Sequence, residues 1–201
     1  MTRRNYQTIA KRSKYATAIV AANTMAADRK TIDLPPTPAK LRITMSKIAI
    51  SRRSMDAIAA QAEREFPDEC CGFVIGAGAD EQIRPITNIQ NRKHAENPAA
   101  YPRDARTAYL MEPKEHLAVL EEVDRRKLPL RFVYHSHPDH DAYFSPTDRA
   151  QACSFDPTEP DYPGTAYIVV SVRDGKFVRA ATFAWDSAAR DFIETPLIVE
   201  S

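Results

Sequence analysis

The segment Leu130-Arg131-Phe132-Val133-Tyr134 runs without a break into His135-Ser136-His137-Pro138. A short apolar run of this kind reads as a strand over Leu130–His135, and a strand buries its apolar side chains against packed layers of other elements. Its tip is chemically different from its body. Side chains two apart on a strand point to one face, so His135 and His137 can aim imidazole nitrogens at a single ion without bending the backbone.

The surrounding pattern supplies the layers. Lys47–Ile50 is a strand candidate, and Met55, Ile58, Ala59, Ala62 and Phe66 trace one helical face, with Ser51 or Ser54 as cap and Pro67 as stop. Cys71–Gly76 and Gln82–Ile89 read as two strands around a Gly-rich turn. Asn91–Arg106 is polar, contains Pro98 and Pro102, and is expected to be a long surface loop, followed by a short strand at Ala108–Met111. A helix from Pro113 to about Lys127 should turn Leu117, Leu120 and Val123 inward. A third helix is expected from Ser145 to about Ser154. Thr165–Arg173 and Lys176–Ala184 form a hairpin on Asp174-Gly175. The expected fold is therefore a mixed α/β (α+β) domain with a mostly antiparallel sheet and about three helices.

Charge divides the chain. Residues 1–44 carry nine Lys/Arg against Asp28 and Asp33, while the remainder carries nineteen against twenty-five Asp/Glu. The first part is broken by the spacer Leu34-Pro35-Pro36-Thr37-Pro38 and reads as a basic, flexible tail, with the domain spanning 45–201. A net charge of +1 gives no global reason for a nucleic-acid partner. No apolar run approaches the ~20 residues that cross a bilayer. Cys70, Cys71 and Cys153 are too few and too awkwardly placed for a disulfide framework, and no Cys-x-x-Cys pair offers a thiolate zinc site. They are expected as small buried apolar groups in a cytoplasmic protein.

Ser145-Pro146-Thr147-Asp148 is an ordinary helix start, with Ser at the N-cap, Pro at the first position and an acid at the third. It follows the His pair closely enough for its first turn to fold back beside the strand end. Asp148 can then join the two histidines while Ser145 faces the same cavity. Two imidazoles, one carboxylate and an open position form the ligand set of a catalytic zinc.

The sequence from His135 to Asp148 resembles the JAMM/MPN (Mov34/PAD-like, JAB) metallopeptidases, compact prokaryotic type. Their His-x-His-Pro, six residues, Ser, two residues, Asp is complete here. Their upstream Glu-x-Cys-Gly run is matched by Glu69-Cys70-Cys71-Gly72. The resemblance implies Zn2+ on His135, His137 and Asp148. It implies Glu69 as the general base and Ser145 as a donor to the oxyanion. It further implies hydrolysis of a peptide or isopeptide bond after the C-terminal glycine of a ubiquitin-like or sulfur-carrier protein. A hydrolase of small peptide conjugates and a non-catalytic scaffold in a larger assembly are the alternatives. The pattern leaves His94, His116 and His140 outside, and His140 is read as a solvated loop residue. Loops Asn91–Arg106 and Phe155–Gly164 are candidate walls of a substrate channel, and oligomeric state is not encoded.

Overall fold

The computed structural model describes residues 48–201, so the basic segment and its spacer lie outside the described residues. Thirteen elements follow in order: strand β1 (Ile48–Ser51), helix α1 (Arg52–Glu65), β2 (Cys71–Ile75), a short 3-10 turn (Gly78–Asp80), β3 (Gln82–Ile86), α2 (Gln90–Glu96), α3 (Pro113–Arg126), β4 (Leu130–Pro138), α4 (Pro146–Ala152), β5 (Ala166–Arg173), β6 (Lys176–Asp186), β7 (Asp191–Thr195) and β8 (Leu197–Glu200). Six strands form one sheet in the order β3-β2-β4-β5-β6-β7, and β1 pairs with β8 in a separate parallel ribbon. Every pair in the large sheet is antiparallel except β4–β5. That pair is joined through α4, the crossover that parallel neighbours require.

Alternation along β4 builds the two layers. Phe132 and Tyr134 face α1, where they meet Ile58, Ala62, Val74, Ile168 and Val170. Val133 faces the other way, into a cluster with Phe73, Leu120, Val123, Tyr167 and Val169. α1 is capped as its sequence suggests, with the Ser51 side chain accepting the Ser54 N–H. The Ser51 hydroxyl in turn donates to the buried Glu81 carboxylate at 2.6 Å. α3 begins with Pro113 and ends on Lys127 in the left-handed region, burying Val119, Leu120 and Val123, with Leu117 partly buried.

Four points differ from the sequence reading. The stretch expected as loop begins with helix α2, in which Gln90 alone is buried, so it carries no apolar stripe for periodicity to detect. Among the described residues there are four helices, against the about three expected. Ala108–Met111 makes one isolated bridge, Asn88 to Met111, instead of a strand. β4 runs three residues further than Leu130–His135 and takes in the whole His-Ser-His-Pro tip. The three cysteines are free and buried as expected.

Candidate metal centre

The tip of β4 holds the histidines where alternation requires. His135 Nε2 and His137 Nε2 lie 3.1 Å apart. Asp148 completes the group: its Oδ1 is 3.3 Å from His135 Nε2 and its Oδ2 is 3.5 Å from His137 Nε2. All three side chains are buried. Among the described residues they are the one His/Cys/Asp/Glu group whose ligand atoms converge within 4.8 Å.

Local chemistry aims each member. The Asp141 carbonyl accepts from His137 Nδ1 at 3.0 Å, which fixes the tautomer and leaves the Nε2 lone pair facing the centre. Tyr109 stacks on the His135 ring at a centroid distance of 4.7 Å. His135 Nδ1 has no hydrogen-bond partner among the described residues. Asp148 sits at the third position of α4 in a reciprocal capping box. Its N–H donates to Ser145 Oγ at 3.1 Å, and its Oδ2 accepts the Ser145 N–H at 2.8 Å. Because Ser145 Oγ accepts, its own O–H remains a donor for something else.

The donor set suits a divalent cation. Burial pushes the His135 imidazole down from its ordinary value, so the ring is neutral at pH 7. Burial pushes the Asp148 carboxyl up, but its contacts with His135 and His137 and the hydrogen bond from Ser145 outweigh it. The acid is held far below the usual carboxylate range. A neutral His135 imidazole and the Asp148 carboxylate are thus in the states that bind metal, and His137 Nε2 faces them with its Nδ1 engaged at the Asp141 carbonyl.

Glu69 arrives from the neighbouring strand. Cys71 pairs with His135 in the β2–β4 register, and the backbones of Cys70 and Ser136 continue that pairing at 3.1 Å. Glu69 therefore lies across from His137 on the same face. Its N–H donates to the Ala105 carbonyl at 2.7 Å, and Asn88 Nδ2 donates to its carbonyl at 2.8 Å. The side chain is 5% exposed. Burial, reinforced by the Asp148 charge and opposed by Arg103, pushes its pKa up to about 9.

Glu69, His137, Ser145 and Asp148 line one cavity of roughly 330 Å³. His140 lines it too, from the solvated loop position expected of it. Arg103, Tyr109 and Gln151 also line it, and the sequence reading did not single these out. Arg103 and Tyr109 come from an aperiodic stretch where no pattern marks a site. Gln151 lies in α4, and its Nε2 donates to the Tyr109 carbonyl at 2.7 Å, tying that stretch to the helix. Of the two loops expected as walls, the first contributes Arg103. The second contributes Asp161 and Tyr162 to an adjoining, more apolar cavity that shares Tyr109 and Gln151 with this one.

Residues 51–186 match the family described as prokaryotic homologs of the JAB domain. The chain is 29% identical over 133 residues to a desampylase of Haloferax volcanii, covering 64% of this chain and 84% of that one. It is 33% identical over 135 residues to a CysO-cysteine peptidase of Mycobacterium bovis, covering 65% and 77%. In three dimensions it is similar to a protein of Desulfitobacterium hafniense solved in solution. The TM-score is 0.55 at 22% identity, covering 77% of this chain and 93% of the other, a likeness of fold. With the family match enclosing the whole constellation from Glu69 to Asp148, the chain belongs to the prokaryotic homologs of the JAB domain.

Proposed function

We propose that this protein is a zinc-dependent peptidase that cleaves the bond after the C-terminal glycine of a ubiquitin-like or sulfur-carrier protein. The observation that carries the proposal is the convergence of His135, His137 and Asp148 beside a buried glutamate in one cavity. The similarity to a desampylase and a CysO-cysteine peptidase supports the substrate class. A scaffold has no use for a complete ligand set, and here it is complete.

His135 Nε2, His137 Nε2 and an Asp148 oxygen would hold the ion. Bound zinc supplies Lewis acidity, polarising a carbonyl and lowering the pKa of water from ~15.7 toward ~7. Glu69, as the carboxylate that a neighbouring dication favours, takes the proton from the attacking water and passes it to the leaving amine. The Ser145 hydroxyl donates to the oxygen that gains negative charge. Tyr109 keeps the His135 ring in plane with its task, and the Asp141 carbonyl does the same for His137.

Purified full-length protein with a carrier fused through its C-terminal glycine provides the test. Wild type should contain about one zinc per chain and release free carrier, and a chelator should stop release. Glu69→Gln should retain zinc and lose roughly 10²–10⁴-fold in rate. Stoichiometric zinc in a His135→Ala/His137→Ala double variant, or near wild-type turnover by Glu69→Gln, would refute the assignment.

A further inference from the structure

The cavity that holds Glu69 also holds a guanidinium. Arg103 lines it beside Thr107 and Tyr109. The loop carrying Arg103 is anchored to the rest of the molecule: Gln90 Nε2 donates to the Arg103 carbonyl at 2.7 Å, and the Ala105 N–H donates to Asn91 Oδ1 at 2.8 Å. The same loop accepts the Glu69 N–H on the Ala105 carbonyl. One segment therefore fixes the backbone of the base and presents a cation two residues away.

Arg84, Arg92, Arg149 and Arg173 each pair with a carboxylate at 2.6–2.9 Å. Among the described residues Arg103 makes no ion pair, and its guanidinium bonds the Thr107 carbonyl at 3.4 Å, the outer limit of a hydrogen bond. Both Arg103 and Glu69 line this cavity, and the Arg103 charge opposes the rise in the Glu69 pKa that burial causes. A planar fork of five donors matches a carboxylate in two-point contact.

Position identifies whose carboxylate it receives. Glu69 returns its proton to the leaving nitrogen, so that nitrogen lies on the Glu69 side. In a peptide bond to a single amino acid, the carbon bonded to this nitrogen carries the α-carboxylate directly. In an isopeptide bond to a lysine side chain, that carbon is a methylene, and the nearest carboxylate is the whole side chain away. We propose that Arg103 binds the free α-carboxylate of the leaving group, so that the preferred substrate is a carrier whose C-terminal glycine is joined by a peptide bond to one terminal amino acid. The inference rests on the hydrolytic function above. Water adds to the glycine carbonyl carbon and the C–N bond breaks. The carrier departs with a new carboxylate, and the amino acid departs as an amine that has gained the proton.

The test uses full-length, zinc-loaded protein and three substrates built on one carrier ending in glycine. The first bears a single C-terminal alanine as the free acid, the second the same alanine as its amide, and the third a lysine peptide linked through Nε. Wild type should prefer acid over amide by about 10- to 100-fold in kcat/KM, the range of a charge-assisted hydrogen bond. In Arg103→Ala that ratio should fall to near one, and Arg103→Lys should keep part of it. Equal cleavage of acid and amide by wild type, a preference for the isopeptide, or an undiminished ratio in Arg103→Ala would overturn the inference and leave the peptidase intact. Cleavage of none of the three would overturn the peptidase reading, and this one with it.

Discussion

Ser136 stands between the two histidines, and alternation turns it to the opposite face of β4. There its Oγ accepts the Cys70 N–H at 2.8 Å, while the Ser136 N–H donates to the Cys70 carbonyl at 3.1 Å. Both residues are 0% exposed, so water cannot replace either bond. Cys70 adjoins Glu69, which makes this clamp the tether of the proposed base to the strand that bears the proposed ligands. Ser136→Ala removes the acceptor and strands a buried N–H. Leaving such a donor unsatisfied costs about 1–3 kcal/mol. For a domain of this size, each kcal/mol lowers the melting temperature by roughly 2–4 °C. A drop of about 2–12 °C is expected, measured by calorimetry or urea denaturation. Zinc content should be unchanged, because the ligand face is untouched. Turnover should fall more than stability implies, since a displacement of about 1 Å at a reacting group can cost ~100-fold. Amide exchange supplies the local readout: the Cys70 N–H, protected in wild type, should exchange faster in the variant. A variant with a stability change under about 0.5 kcal/mol, unaltered kcat and a protected Cys70 amide would refute the clamp.

Other consequences follow from the same geometry. A Cβ on Gly72 would sit 2.5 Å from the Arg84 carbonyl oxygen and 2.6 Å from Tyr134 Cζ. Gly72→Ala should therefore destabilise by about 1–3 kcal/mol in urea denaturation through overpacking, with the Tyr134–Gln61 hydrogen bond disturbed. Zinc binding should release protons. Without a cation Glu69 stays protonated until pH rises through about 9, whereas a nearby dication favours the carboxylate. His135 is already neutral and Asp148 already ionised at pH 7, so calorimetric titration in buffers of different ionisation enthalpy should count about one proton more from wild type than from Glu69→Gln near pH 7, the difference closing above pH 9.

How much of this was legible in sequence depends on whether a feature is local. The period of two in His135-Ser136-His137 and the capping box Ser145-Pro146-Thr147-Asp148 are each written within four residues. The structure brings both together where the sequence pattern suggested. α1 and α3 carry apolar stripes, and periodicity finds them. α2 buries a single residue, so nothing in its composition separates it from a polar loop. It is held instead by Asn88, whose Oδ1 accepts the N–H groups of Gln90 and Leu110. β8 gains strand geometry from pairing with β1 at the opposite end of the described chain, a contact no window of sequence contains. Arg103 and Tyr109 belong to the site for the same reason. They lie in a segment without periodicity and owe their place to bonds made by Gln90 and Gln151.

The register of β2 against β4 ties fold to chemistry. Glu69 faces the ligand cavity because it is opposite His137, and His137 faces it because Tyr134 and Ser136 occupy the other side. A slip of one residue between these strands would reverse every side chain of one relative to the other. It would place Glu69 among Tyr134 and Ile168 and bring Cys70 into the cavity lined by His137 and Asp148. Two features oppose that slip at the site end. Gly72 admits the Tyr134 ring where any side chain would exclude it, and the Ser136 hydroxyl accepts the Cys70 N–H and no other backbone donor. The residues that hold the register are thus interleaved one for one with those that carry the proposed reaction: Ser136 between His135 and His137, and Cys70 and Gly72 around the strand start that delivers Glu69. The proposed centre has its base and its two imidazoles on one face of adjacent strands, and this alternation supplies that.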